Sequence, residues 1–180
     1  MHDKDRERKG RERALWGDLP ERDLSAGELE RLVRELAAVP ELWQDQLAFS
    51  DSERHFVSLR RDDHIDVWLI CWTPANDTGW HDHDVSCGAV AVVEGRLRES
   101  APRIGGQPAE RVVGAGQSIH FGADHIHRLC GDAPRSVSIH AYSPPLWRMG
   151  QYSIDEHGVM HRISVSYAEE LRPLEAPVAA

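Results

Sequence analysis

The feature that most constrains the fold is a run of short β-type segments from residue 54 to residue 167. Turn residues separate the segments, among them Gly95, the pair Gly105-Gly106 and the pair Gly131-Asp132. Many short strands with turns between them are typical of a β-sandwich or a closed barrel, so we predict a mainly β fold. The candidate strands are Arg54–Leu59, Ile65–Thr73, Gly88–Glu94, Arg96–Ser100, Arg111–Val113, Ser118–Phe121, His127–Cys130, Ser136–Tyr142, Gln151–Ile154 and Met160–Tyr167.

A helical segment precedes the strands. Ser25 to Glu28 has the capping-box pattern, in which the side chain of each end residue bonds the backbone of the other. Pro40 is expected to end the helix, and a short second helix over Glu41–Ala48 is expected to follow. The apolar residues that repeat at helical spacing after the cap are Leu29, Leu32, Val33 and Leu36.

The two ends of the chain differ from its middle. Residues 1–20 are mostly charged and start without an apolar stretch, so we expect disorder there rather than a signal peptide. Residues 169–180 are expected to form a loose C-terminal tail. Between the ends, residues 21–50 are expected to form helices that pack on a barrel of residues 51–168. With 180 residues and no internal repeat or linker, one domain is expected.

Composition excludes several classes of function. The formal net charge is −9, from 21 basic and 30 acidic residues, and no basic stripe with interleaved aromatics occurs, so nucleic acid is not expected as a partner. No apolar run reaches the length of a membrane span. Cys71, Cys87 and Cys130 are odd in number and far apart, which argues against a disulfide framework or a zinc knuckle. A soluble, cytoplasmic protein is expected.

A His-x-His pair carries the strongest indication of chemistry. Alternate residues of a strand face the same side, so His81 and His83 can place two imidazoles on adjacent positions of one metal ion. Trp80 precedes the pair, and an apolar strand that ends at Glu94-Gly95 follows it. An ordinary solvated strand face is the competing interpretation, and this context favours metal binding.

A third histidine would complete a facial set of ligands and leave positions open for substrate and oxygen. His125 and His127 are both candidates, since they too face one side of a strand. The second motif of the jelly-roll cupin family, Gly-x-x-His, would select His125 after Gly122. The first motif of that family has a glutamate where this chain has Gly88, so a fourth protein ligand is not expected.

A third motif lies near the end of the predicted barrel. Ser138, His140 and Tyr142 alternate along one strand and therefore share a face. A hydroxyl, an imidazole and a phenol in a row can form a hydrogen-bonded relay in which each group orients the next. Alternating small and aromatic residues also suit a packed barrel interior, so the metal motif is what favours a catalytic role for these three residues.

Together these segments resemble the cysteine dioxygenase family of cupins over about residues 40 to 165. The resemblance implies a jelly-roll β-barrel that holds Fe(II) by three neutral imidazoles, here His81, His83 and His127. It selects His127 over His125 because the third ligand of the family is followed by arginine. The segments that carry it are Cys71-Trp72, His81-Asp82-His83, Glu94-Gly95-Arg96-Leu97, His127-Arg128 and Ser138-Ile139-His140-Ala141-Tyr142-Ser143-Pro144-Pro145-Leu146.

The resemblance also implies an activity, in which a thiol binds iron through sulfur and O2 oxidises that sulfur to a sulfinic acid. L-cysteine is the leading substrate, and the expected protein is a monomer with Fe(II) as its cofactor. The alternatives are a dioxygenase of another small thiol acid such as 3-mercaptopropionate, a cupin enzyme that uses Mn, Ni or Zn, and a non-enzymatic metal-binding cupin sensor.

Two departures from the family pattern bear on the site. Mammalian members crosslink a cysteine to the relay tyrosine, and Gly88 stands at that position, so no crosslink to Tyr142 is expected. Cys87 is one residue away and should face the opposite side as an unlinked thiol. The arginine that binds the substrate carboxylate in cysteine-selective members aligns with His55; the adjacent Arg54 is the candidate.

Arg60, further along the chain, is a second candidate for the carboxylate-binding arginine. Members that act on 3-mercaptopropionate have glutamine in place of this arginine, and no glutamine lies near it in this sequence. An arginine can bind a carboxylate through two parallel hydrogen bonds, which histidine cannot reproduce. The sequence therefore favours a substrate like cysteine.

Overall fold

The computed structural model describes residues 2–166, so the tail expected over residues 169–180 lies outside the described residues. Within residues 2–166 the chain forms two α-helices and eleven strands, with two 3-10 turns after the second helix. The helices are α1 (His2–Gly17) and α2 (Ala26–Ala37). The strands are β1 (His55–Arg61), β2 (Asp66–Trp72), β3 (Trp80–Asp82), β4 (Cys87–Glu94), β5 (Arg96–Ala101), β6 (Ala109–Gly114), β7 (Ser118–Phe121), β8 (Arg128–Gly131), β9 (Ser136–Ser143), β10 (Arg148–Ile154) and β11 (Met160–Ser166).

The strands form three antiparallel sheets that together make the jelly-roll barrel. The largest sheet has the order β1-β2-β9-β4-β7, and the two smaller sheets have the orders β11-β10-β3 and β6-β5-β8. Several neighbours in these orders, such as β2 and β9 or β4 and β9, are distant in the sequence, as is typical of a jelly roll. The prediction of a mainly β barrel is confirmed.

The five-stranded sheet separates two apolar cores. On its outer face, the apolar side of α2 forms one core with alternate residues of β2, β4 and β9, which include Leu69, Ala91 and Ile139. The other residues of these strands, such as Trp72 and Val92, face the barrel interior. Because both faces of the sheet are covered, every residue of β2 and β9 is buried.

Helix α2 begins as the sequence indicates. The side chain of Ser25 accepts a hydrogen bond from the backbone of Glu28, whose carboxylate in turn accepts from the backbone of Ser25. This capping box satisfies two amide donors that a helix start otherwise leaves unbonded. The four apolar residues predicted to face the core are buried: Leu29, Leu32, Val33 and Leu36.

Two predictions for the helical region are wrong. Disorder was expected over residues 1–20, but His2–Gly17 is helical. Arginine and glutamate favour helices. Trp16, near the end of this helix, packs against the outer core, and the guanidinium of Arg60 lies over its ring. Glu41–Ala48 forms two 3-10 turns instead of one α-helix. Trp43 stands between the turns with non-helical backbone angles, held there because its indole donates to the carbonyl of Leu36 at 3.1 Å.

Strand β3 is missing from the ten candidate strands, although the spacing of His81 and His83 was interpreted as that of a strand. The other ten strands lie within a few residues of their predicted bounds. No helix in the described part of the chain, residues 2–166, has the length and apolar character needed to cross a bilayer.

Candidate metal centre

Three imidazoles meet inside the barrel. His81 lies in β3, His83 directly after it, and His127 directly before β8. The backbones of His81 and His127 exchange two hydrogen bonds of 2.9 Å. These bonds join the sheet that contains β3 to the sheet that contains β8. One ring nitrogen from each of the three histidines lies within 4.8 Å of those from the other two, and each residue is 1% exposed. The structure thus brings together the three candidate ligands selected in the sequence.

The three residues fit a metal ion. Both ring nitrogens of His83 and Nε2 of His127 are buried and have no hydrogen-bond partner. An unbonded buried polar atom costs about 1–3 kcal/mol, and a coordinated cation would remove that cost for the nitrogen that binds it. Burial lowers the pKa of His127 to about 3 and lowers the pKa of His83 well below its ordinary value. Both rings are therefore neutral, as metal ligands must be.

A buried carboxylate orients the third candidate ligand, His127. Nδ1–H of His127 donates to Oε1 of Glu99 at 2.8 Å, which leaves Nε2 as the nitrogen that can bind metal. Burial alone would raise the pKa of Glu99, but hydrogen bonds from His125, His127 and Arg111 outweigh it and hold the pKa below its ordinary range. Sequence reasoning missed Glu99. The signal was available, because Glu99 shares the inward face of β5 with Leu97.

His125 does not join the three-histidine cluster. Its Nε2–H donates to the same Glu99 oxygen at 3.0 Å, and it groups with Glu99 and His127 instead. The side chain of His125 is 27% exposed and that of His127 is 1% exposed, so His125 lies nearer the surface. The histidine that follows Gly122 in the generic cupin pattern is thus a neighbour of the ligand cluster.

Asp82, between the two histidines of the pair, holds them from the outside. Its carboxylate accepts from Nε and Nη2 of Arg162 at 2.8 and 3.0 Å and from the phenol of Tyr152 at 2.5 Å. A Cβ at Gly150 would lie 2.5 Å from this carboxylate, so a larger residue there would have to displace it. The hairpin of β10 and β11 thereby fixes the segment whose other face carries His81 and His83.

The serine, histidine and tyrosine of β9 form a continuous hydrogen-bonded chain. Ser138 Oγ lies 2.7 Å from Nε2 of His140, and Nδ1 of His140 lies 3.1 Å from the hydroxyl of Tyr142. The indole of Trp72 donates to Ser138 Oγ at 2.8 Å and extends the chain by one member that the sequence did not indicate. The Tyr142 ring lies 4.9 Å from the His83 ring, between centroids, so the chain ends beside the histidine cluster.

The two arginine candidates lie in different places. Arg54 is 7% exposed, and its guanidinium lies over the Trp72 ring at 4.9 Å, on the inner side of the sheet. Its charge adds to burial in lowering the pKa of His140. Arg60 instead pairs with Asp62 and lies over Trp16 on the outer side, because the β1–β2 register shifts between residues 58 and 60.

Gly88 and Cys87 take opposite faces of β4. A Cβ at Gly88 would lie 2.5 Å from the ring of Phe121, which stacks on His83 with centroids 4.9 Å apart. Phe121 therefore fills the space that a longer residue at position 88 would need. The thiol of Cys87 points the other way and donates to the carbonyls of Leu24 and Ser143.

Comparisons with known proteins agree with this architecture. The family model for cysteine dioxygenase type I matches residues 19–155. The structure of TT1209 from Thermus thermophilus superposes with a TM-score of 0.50 at 12% identity, covering 57% of this chain and 93% of that one. An uncharacterized conserved protein with a double-stranded β-helix domain from Klebsiella pneumoniae subsp. pneumoniae MGH 78578 gives 0.50 at 13% identity, covering 56% and 80%. At such identities these two structures show the fold alone.

Proposed function

This chain belongs to the cysteine dioxygenase type I family, and on that premise we propose that it is a mononuclear non-heme iron thiol dioxygenase that oxidises L-cysteine to cysteine sulfinate. The observation that carries the proposal is the position of the Tyr142 ring beside His83, where the hydrogen-bonded chain of β9 meets the three-histidine cluster. The reaction balances as RSH + O2 → RSO2H. Both oxygen atoms end on sulfur, and no external reductant is needed.

His81, His83 and His127 would hold Fe(II). When bound, Fe(II) supplies a Lewis-acidic centre with open positions for the thiol sulfur and for O2. Three neutral ligands leave its double positive charge uncompensated, which favours binding of a negatively charged thiolate. Glu99 keeps the proton of His127 on Nδ1, and the carbonyl of Gly79 does the same for His81 at 3.2 Å.

The chain on β9 is proposed to direct one proton towards the substrate. Ser138 accepts from Trp72, and its own hydrogen can be donated to Nε2 of His140. Nδ1 of His140 then carries a hydrogen and donates to the Tyr142 oxygen, since burial keeps the pKa of His140 low and its ring neutral. In this arrangement the Tyr142 oxygen accepts from His140, and its own hydrogen is the one that we propose is donated to the bound substrate.

Arg54 is proposed to bind the substrate carboxylate. It is buried on the inner side of the sheet, and the aromatic face of Trp72 beneath it favours a cation. A guanidinium in such a place can form two parallel hydrogen bonds to a carboxylate. Because Trp72 also donates to Ser138, the carboxylate-binding group and the proton chain share one support.

Oxygen uptake by the Fe(II)-loaded protein tests the proposal. With L-cysteine we expect one O2 consumed per thiol and a sulfinate that carries both atoms of 18O2, detected by mass spectrometry. Arg54→Leu should raise KM for L-cysteine about tenfold or more, in line with the loss of a charged hydrogen bond. Arg60→Leu is the matched control, because its guanidinium lies on the outer side of the sheet.

Two of the alternatives give different results in the same experiment. Uptake with 3-mercaptopropionate but not with L-cysteine would contradict the proposed substrate and keep the thiol dioxygenase class. No uptake with any small thiol, by folded protein that retains iron, would contradict the enzymatic proposal.

A further inference from the structure

Gln151 of β10 lies directly opposite a proposed metal ligand. In the antiparallel pair of β10 and β3, its register partner is His81. Opposed residues in such a pair point to the same face of the sheet. That face is the barrel interior, since Met149, two residues before Gln151, is fully buried in the inner core. The alternate residues of β10 face outwards, as the contact of Tyr152 with Asp82 shows.

The backbone pattern brings these two side chains close together. Both backbone groups of His81 bond to His127, on the side away from β10. His81 and Gln151 are therefore a non-hydrogen-bonded pair, in which the Cα atoms are about 4.5 Å apart and the side chains approach most closely. The Cβ atoms of Gln151 and His81 therefore lie close together, at the edge of the histidine cluster.

The environment of Gln151 suits contact with a small ligand. The residue is partly buried, and among residues 2–166 its carboxamide has no hydrogen-bond partner. Ile163, its partner on β11 and a member of the same face, is 60% exposed. Gln151 therefore stands between solvent and the histidine cluster. A carboxamide both donates and accepts hydrogen bonds, so it can bind an amino group through its oxygen.

We propose that Gln151 is a specificity-determining residue whose carboxamide oxygen accepts a hydrogen bond from the amino group of the thiol substrate. Arg54 directly precedes β1, which belongs to a different sheet from the β10 residue Gln151, so the two residues can bind the carboxylate and the amino group from separate walls of the site. The inference rests on the proposed function. It adds that this site selects thiols with an amino group over thiol acids without one.

Anaerobic titration calorimetry of the Fe(II)-loaded protein tests this role through binding. L-cysteine is compared with 3-mercaptopropionate, which lacks the amino group. In Gln151→Leu we expect Kd for L-cysteine to rise about tenfold, as the loss of one hydrogen bond predicts, while Kd for 3-mercaptopropionate changes less than about twofold. Gln151→Glu keeps an accepting oxygen and should retain L-cysteine binding. The control is Gln107→Leu, the same change at an exposed loop position.

The outcomes separate the two proposals. If the wild-type protein binds L-cysteine and Gln151→Leu leaves the ratio of the two Kd values unchanged, the role of Gln151 is overturned and the proposed function stands. If the wild-type protein binds neither thiol and consumes no O2, the proposed function fails and this inference fails with it. Iron content, measured on each variant, shows whether His81 still holds the metal.

Discussion

The two faces of strand β9 differ although they share one backbone. Its outward residues, Val137, Ile139 and Ala141, are fully buried against α2 and form an apolar core. Its inward residues form the hydrogen-bonded chain that ends beside the histidine cluster: Ser138, His140 and Tyr142. The alternation of side chains along β9 therefore places apolar packing on one face and a hydrogen-bonded polar chain on the other.

The two faces are held by different interactions. The outer face gains stability from the removal of apolar surface from water and from close packing, so it depends on side-chain volume. On the inner face each polar atom needs a partner, because an unbonded buried polar group is costly. Replacements on the outer face are thus expected to change the free energy of unfolding, and replacements on the inner face are expected to change turnover.

The largest expected effect is the loss of the metal in His83→Ala. The two remaining imidazoles cannot complete the facial set, so we expect no retained iron after gel filtration and no thiol-dependent oxygen uptake. His161→Ala is the matched control, since His161 is exposed and bonded to Asp155 on β10–β11. Iron is measured by elemental analysis. Retention of one iron per chain by the His83 variant would refute its assignment as a ligand.

The next effect is on stability alone. Ile139→Ala removes buried methyl groups from the outer face and should lower the free energy of unfolding by about 3 kcal/mol, measured by urea denaturation. The turnover number of the folded, iron-loaded variant should stay near that of the wild type. A large fall in turnover with unchanged stability would break the distinction between the two faces.

The converse change is Tyr142→Phe, three residues further along the same strand. The ring and its packing remain, but the hydroxyl that ends the chain is lost. We expect turnover to fall on the order of 100-fold, in the range of a lost proton donor. Iron content and the urea midpoint should match those of the wild type. Normal turnover, or failure to bind iron, would contradict the role proposed for Tyr142.

Much of the fold was predictable because its signals are local. The capping box at Ser25 depends on two residues that are three positions apart. The turns between the strands depend on glycine and aspartate residues within each turn. The helix α1 was missed because its charged sequence was interpreted as disorder. The turn at Trp43 was missed because a side-chain bond to α2 decides it.

The two arginine candidates show why counting residues along the chain does not identify which side chain faces the barrel interior. Alignment of the family position falls on His55, whose partner across the sheet, Cys71, belongs to the outer core. The adjacent Arg54 lies on the inner side instead, and the register shift further along β1 turns Arg60 outwards. A step of one residue reverses the face of a strand, so spacing alone cannot choose between neighbours.

The sequence by itself determined the class of fold and the residue types that can bind a metal, because alternation, capping and motif spacing are properties of neighbouring residues. Only the tertiary structure decided which partners surround them. It joined His81 to His127 across two sheets, placed Glu99 behind His127, and set Gln151 beside His81. These contacts link positions far apart in the chain, and the register of paired strands, which no local pattern encodes, brings them together.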